Sequence, residues 1–306
     1  MRVISPSSSA NLGSGYDVLA VAHDAFFDVL EIEARPSTEI DVAIESEGVP
    51  LDARKNSASY AVLRMLEELN IKQKVKIRLW KGVPAGLGLG SSGASAAGAV
   101  VGVNEALKLN LSKDELVKFA SYGEEAAAGS AHPDNVAASV VGGFVAVVSQ
   151  SPLKVVSIPH NVDVEFVLFI PEVRIEQKTM KARELVPKEI PTKKYVENLR
   201  FATALIVGLQ KGDRDLIRLG LNDEIVEKAR EPLFPYYPRL KEMALKHNAV
   251  GACVSGAGPS VLVFVDDKTD KDGLIKDGLN VCEAFGIRCK VKLARATHGA
   301  RVEGSD

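Results

Sequence analysis

Hydrophobic and polar residues change period repeatedly along this chain, and the changes mark out its elements. Val29-Leu30-Glu31-Ile32-Glu33-Ala34, Ile40-Asp41-Val42-Ala43-Ile44 and Lys74-Val75-Lys76-Ile77-Arg78-Leu79-Trp80-Lys81 alternate and predict strands. Ser57 to Leu69 carries Ala61, Val62, Met65, Leu66 and Leu69 at helical spacing. Ser112-Lys113-Asp114-Glu115 is a capping box that opens a helix through Ala120 and beyond. Gly142-Gly143 leads into a strand over 144–148, and Val162 to Ile170 is an apolar strand ending at Pro171. Asn198 to Gln210, Arg214 to Asn222 and Pro238 to Lys246 read as helices, and Val261 to Val265 as a strand. Ser149-Gln150-Ser151-Pro152 has turn composition. It divides the chain into domains of 1–152 and 153–306, with the last strand free to return to the first domain. The irregular order of elements predicts class α+β rather than a doubly wound sheet.

The strand before residue 82 feeds an unusual loop, Pro84-Ala85-Gly86-Leu87-Gly88-Leu89-Gly90-Ser91-Ser92-Gly93-Ala94. Glycines at alternate positions let the backbone turn and approach a ligand closely. The small residues from Ala94 to Val103 then read as a helix. A loop feeding a helix N-terminus presents free N–H groups, so a phosphate is the natural ligand. A parallel dinucleotide-binding sheet would show a continuous apolar strand, not an alternating one. No Gly-Lys-Ser/Thr follows, so the standard P-loop is excluded as well. The plainer alternative is a small-residue helix that only packs closely against its neighbours.

Composition narrows the reading. The 306 residues are 46% apolar, enough for a real core, and the net charge of -2 argues against nucleic acid as a partner. The N-terminus lacks a signal-like apolar segment, and the small-residue run is too short for a bilayer, so a soluble cytoplasmic protein with no membrane contact is expected. Cys253, Cys282 and Cys289 show no metal-ligand spacing and read as reduced thiols in core packing.

Three separated segments form one pattern: Ser9-Ala10-Asn11-Leu12-Gly13-Ser14-Gly15-Tyr16-Asp17, the loop from Pro84 to Ala94, and Ser255-Gly256-Ala257-Gly258-Pro259-Ser260. In order and spacing they resemble the three motifs of the GHMP small-molecule kinases. The resemblance implies a two-domain fold, with an N-terminal ribosomal-protein-S5-like domain and a C-terminal ferredoxin-like domain. Within that superfamily, Ser7 to Asp17, His132-Pro133-Asp134-Asn135, Thr179 to Glu184 and Arg230 are most similar to the homoserine kinases. Gly93 stands where that family usually has Ala, at a helix cost of up to about 1 kcal/mol.

The resemblance assigns roles residue by residue. Pro84 to Ala94 would cradle the triphosphate of ATP, and Asn56 would read the adenine unless it only caps the following helix. Ser92 and Glu124, or Glu125 in its place, would contact Mg2+, and Asn135 would complete the catalytic group. Asn11, Asp17 and Asp134 would hold an ammonium by charge-assisted bonds, and Arg183 and Arg230 would clamp a carboxylate. Thr179, Asn135 and Gly258 would complete the substrate site. Ammonium, carboxylate and hydroxyl together describe L-homoserine. The implied function is phosphorylation of its hydroxyl in threonine biosynthesis, by a homodimer. The open alternatives are a kinase of the same fold for shikimate or mevalonate, which carry no ammonium, and an inert ATP-binding sensor.

Overall fold

The computed structural model describes residues 1–128, 132–161, 163–173 and 178–304, without the side chains of Ala127, Ala128, Lys178 and Thr179. In chain order its elements are β1 (Arg2–Ala10), β2 (Leu19–Pro36), β3 (Asp41–Ser46), α1 (Ser57–Glu68), β4 (Gln73–Trp80), α2 (Ser91–Leu107), α3 (Lys113–Ala128) and α4 (Pro133–Val141). There follow β5 (Phe144–Gln150), β6 (Leu153–Ile158), β7 (Glu165–Pro171), α5 (Lys178–Glu184), α6 (Thr192–Lys211), α7 (Arg214–Gly220) and α8 (Val226–Arg230). The chain closes with α9 (Tyr237–Lys246), β8 (Gly251–Val254), β9 (Val261–Val265), α10 (Lys271–Ala284), β10 (Cys289–Arg295) and β11 (Arg301–Val302). None of these helices is long and apolar enough to cross a membrane.

The expected α+β class is what forms. One sheet runs β11-β1-β2-β4-β3, with β5 on β2 and β6 on β5; the other runs β10-β7-β9-β8. The 18-residue β2 serves three neighbours: β1 along most of its length, β4 at Val29–Pro36, and β5 at Leu19–Val21. Helices α1 to α4 cover one face of the first sheet around a core of Ala, Val, Leu and Ile. The hairpin β5–β6 carries the first sheet past the turn at 149–152, to Ile158, and β11 pairs with β1 at Val3–Val302. A second core joins the two sheets. In it Leu12, Leu19 and Leu89 pack with Phe144, Phe166 and Phe264, and Phe166 lies 6.2 and 5.0 Å from the other two rings.

Helix α1 starts at Asn56, whose Oδ1 accepts from the N–H groups of Ala58 and Ser59. The capping box is complete, because Ser112 Oγ accepts from Glu115 N and Glu115 Oε2 accepts from Ser112 N. Helix α2 packs on β1 and β2 at the closeness that the small residues allow. A Cβ on Gly98 would sit 2.4 Å from Leu30 Cδ1. That close packing and a ligand-binding N-terminus are therefore compatible readings of one helix.

One expectation fails. Cys282 and Cys289 are joined in a disulfide, while Cys253 stays free and buried. The tight turn at Phe285–Arg288 folds β10 back along α10 and brings the two Cα atoms to 6.2 Å. A spacing of seven carries no such signal in the sequence. A short cross-linked loop stabilises by about 2 kcal/mol, mainly by restricting the unfolded chain. Cys282→Ser should therefore lower unfolding stability by about that much in urea titrations, and reductant should lower the wild type toward the variant. Equal stability of the two under oxidising conditions would contradict this.

Candidate active site

The site is a cleft of 490 Å³ where the glycine loop, the β1–β2 connection, α4, α5 and α8 converge. One end is lined by Val49, Pro50, Leu79 and Asn56, and the polar end by Asp17, Asp134, Arg183 and Arg230. The loop lies between them.

Of the loop, Ala85, Gly86, Gly88, Leu89, Gly90, Ser91 and Ser92 line the cleft. Pro84, Leu87, Gly93 and Ala94 are not among the lining residues and frame it instead. Ser260 N donates to Leu87 O, and Ser8 N donates to Leu89 O. Both carbonyls are thus held from outside the loop. Gly90 caps α2 in the left-handed region with φ of 67°, and no side chain caps that helix end. The first-turn N–H groups of α2 are left for an anion.

Beneath the loop is a buried ion pair that the sequence did not disclose. Lys81 Nζ donates to Asp28 Oδ2 at 2.5 Å, to Ser91 O at 2.9 Å and to Ser95 Oγ at 2.9 Å. Asp28 is fully buried, and its Oδ1 accepts from Gly82 N and Val83 N. Burial pulls the Lys81 ammonium below the usual lysine range, with Asp28 opposing. One carboxylate therefore fixes both ends of the loop.

The polar end combines four charges. Asn11, Leu12 and Asp17 hold φ of 74, 47 and 57°, an expensive local geometry for residues other than glycine. Asn11 Oδ1 accepts from Asp17 N, and its Nδ2 donates to Gly256 O. Its carboxamide thus helps to shape the loop, and Asn11 lines the cleft together with the carboxyls of Asp17 and Asp134. Asp17 Oδ1 lies 4.0 Å from Arg183 and 3.7 Å from His132 Nδ1. Arg230 is buried, donates from Nε to Ala182 O at 2.7 Å and stacks over Tyr16 at 5.0 Å. Burial, reinforced by the Asp17 charge, pushes the Asp134 carboxyl up to about 7. His132 and Tyr16 join the expected residues, and only their neighbours in the motifs pointed to them.

Asn135 sits beside Asp134 at the start of α4. Its Oδ1 accepts from Ser8 Oγ at 2.9 Å, so the group it offers a ligand is its NH2. Glu124 also lines the cleft, whereas Glu125 faces Arg64 at 3.8 Å. Glu124 Oε1 is buried without a partner, and burial raises this carboxyl, with Ser92 hydrogen-bonded to it as the opposing influence. An orphaned carboxylate oxygen beside a hydroxyl suits a hard cation. Among the described residues no cluster of three or more acidic, His or Cys ligands forms. A sparse donor set of this kind fits Mg2+, which keeps several waters and uses substrate phosphates as ligands. Asn56 lines the far end, but its Oδ1 is spent on the cap and its Nδ2 on Pro50 O at 3.0 Å. Gly258 is absent from the lining and makes the turn behind it, where a Cβ would meet Phe234 at 2.4 Å; Gly256 and Ala257 line the cleft there. The Thr179 side chain lies outside those described.

Removing one partner of a buried ion pair strands the other charge. Lys81→Met should lower stability by about 3–5 kcal/mol in denaturant titrations. Lys81→Met with Asp28→Leu should recover part of that loss. A single variant as stable as the wild type would show that the pair does not hold the loop.

Known proteins are similar to this chain in sequence and in fold. Residues 56–143 match the GHMP kinases N terminal domain, and residues 205–280 match GHMP kinases C terminal. The homoserine kinase of Sulfurisphaera tokodaii is 58% identical over 98% of both chains. That of Sulfolobus acidocaldarius is 55% identical over 99% of both. The crystal structure of homoserine kinase from Cytophaga hutchinsonii superposes with a TM-score of 0.89 at 34% identity, over 98% of this chain and 96% of that one. With its three motifs gathered around one cleft, and at this similarity over nearly its whole length, the chain belongs to the homoserine kinase family of the GHMP kinases.

Proposed function

We propose that this protein transfers the γ-phosphoryl group of ATP to the hydroxyl of L-homoserine, giving O-phospho-L-homoserine for threonine biosynthesis. The observation that carries the reading is the pairing of two carboxyls, Asp17 and Asp134, with two guanidiniums, Arg183 and Arg230, at one end of a glycine-lined cleft. An amino acid with a free hydroxyl is the ligand those charges complement. Mevalonate and shikimate would leave the acids unpaired. On the family likeness, the proposal includes a homodimer acting in the cytoplasm.

In this reading the adenine lies among Val49, Pro50 and Leu79, against the N-terminus of α1 that Asn56 caps. The loop amides and the first turn of α2 receive the phosphates. Ser92 and Glu124 would hold Mg2+, which when bound neutralises charge on the phosphates. Asp17 and Asp134 hold the substrate ammonium, and Arg183 and Arg230 its carboxylate. Asn135 NH2 orients the hydroxyl. Phosphoryl transfer through a loose transition state needs positioning more than early deprotonation, so the hydroxyl proton passes late to the transferred phosphate. No side chain is required as a strong base.

The direct test is a panel of homoserine, mevalonate, shikimate and galactose with Mg-ATP. Homoserine should be the preferred acceptor, and a chain that turns over none of them while binding ATP would be a sensor. Arg183→Ala should raise KM for homoserine by an amount equivalent to about 2 kcal/mol or more, with KM for ATP nearly unchanged. Equal weakening of both would remove Arg183 from the substrate clamp.

The Asp134 carboxyl adds a pH signature. With its value near 7 in the free protein, it is largely protonated below that pH. An ammonium prefers the carboxylate, so homoserine binding should expel a proton at pH 6 and weaken as pH falls through 7. Calorimetry in buffers of different ionisation enthalpy counts that proton. Asp134→Asn should bind homoserine more weakly and without this dependence. A wild type whose affinity is flat between pH 5 and 8 would contradict the assignment.

A further inference from the structure

We infer that His23, Ser9 and Ser255 are positioning residues, a proton-ordered chain behind the glycine loop that sets the direction of its amides. The inference rests on the loop binding the nucleotide phosphates, as proposed above.

None of the three side chains lines the cleft, and all three residues are fully buried. Ser255 Oγ donates to Gly88 O at 2.6 Å. Ser9 Oγ lies 2.6 Å from Ser255 Oγ, across 246 residues of sequence. His23 Nε2 lies 3.1 Å from Ser9 Oγ, and Ser7 Oγ lies 3.0 Å from His23 Nδ1.

Counting protons fixes each direction from His23 to the loop. The Gly88 carbonyl can only accept, so the single Ser255 hydroxyl proton goes to it. Ser9 must then donate to Ser255. Ser9 has no proton left for the imidazole, so His23 Nε2–H donates to Ser9. In a neutral ring Nδ1 is then a bare acceptor, and Ser7 Oγ, 3.0 Å from both Nδ1 and the His23 carbonyl, has one proton to share between those two acceptors. Deep burial keeps the ring neutral, its value drawn down to about 3. The protons of His23 Nε2, Ser9 and Ser255 all point toward the loop.

The consequence for the loop follows from the planar trans peptide, in which C=O of one residue and N–H of the next point to opposite sides. Holding Gly88 O against Ser255 turns the Leu89 N–H away from the third motif. Leu87 O and Leu89 O are held by Ser260 N and Ser8 N, so three successive peptide planes are fixed from behind. Gly88 is confined too, since a Cβ there would lie 2.3 Å from Ser255 O. Amides fixed before the ligand arrives need no reorganisation when charge reaches them. A Ser-rich first strand, otherwise hard to explain in a buried position, acquires a purpose.

The test separates positioning from mere stability. In Ser255→Ala, ATP affinity by calorimetry should fall about tenfold, since a buried acceptor loses its donor. KM for homoserine should stay within about twofold, because this link does not touch the charged end. Ser9→Ala combined with Ser255→Ala should cost no more than Ser255→Ala alone, because the two act in series. The wild-type protein supplies a readout that needs no variant: nitrogen-15 spectra should show one histidine neutral down to pH 5 in the Nε2–H tautomer. That histidine's resonances should vanish in His23→Gln. An Nδ1–H tautomer, unchanged ATP affinity in Ser255→Ala, or equal loss of ATP and homoserine would each overturn the chain. Wild-type protein that fails to bind ATP would instead refute the reading of the loop itself.

Discussion

A fully buried carboxylate must be matched by positive charge and by hydrogen-bond donors, or the fold cannot keep it. Asp28 meets that condition with Lys81, Ser95 and the backbone of Gly82 and Val83. These partners come from the chain leaving β4 and from the first turns of α2. The pair therefore fixes where the loop begins, where the helix after it begins, and how both lie on β2. The cleft depends on that placement. The loop's own side chains anchor it through Leu89 in the second core and Ser91 Oγ on Val83 O, and the rest of its shape is imposed from below by Asp28 and from behind by β1 and the third motif.

The other end of the cleft obeys the same electrostatics with a different outcome. Asp17, Asp134, Arg183 and Arg230 are close but are not fully paired with one another. Arg183 Nε is buried without a hydrogen-bond partner, and burial and the Asp17 charge raise the Asp134 carboxyl to about 7. Groups satisfied internally would have nothing to offer an amino acid. Incomplete pairing is what a zwitterionic ligand can complete, and it leaves this end less stable than the Asp28 end.

The sequence disclosed what periodicity and local chemistry encode. The α1 cap, the box at Ser112, the α2 glycines and the three motifs all rest on neighbours within a few residues. Strand β1 did not show itself, because Ser5, Ser7, Ser8 and Ser9 are buried yet polar and so break any apolar alternation. Their partners, Asn135 and Ser255 among them, are remote in sequence. The Lys81–Asp28 pair was hidden for the same reason, and the disulfide because a spacing of seven says nothing about a tight turn. In the cleft, Asn56 and Asn11 were legible as positions but not as commitments. Only coordinates show that their carboxamides are already engaged by backbone groups.

The return of β11 to β1 has a bearing on how this chain is made. Val3 pairs with Val302, and Glu303 N donates to Arg2 O. The strand that carries the serines of the first motif thus has one neighbour synthesised almost at once and another only after the second sheet. An emerging chain can build the helices α1 to α4 and most of the first sheet early, but one edge of β1 stays open until the second domain has been completed. Assembly of the site is thereby tied to synthesis of β11. A truncated product would carry the phosphate loop with an exposed strand edge, and would be marked for aggregation or degradation rather than left as a half-active enzyme.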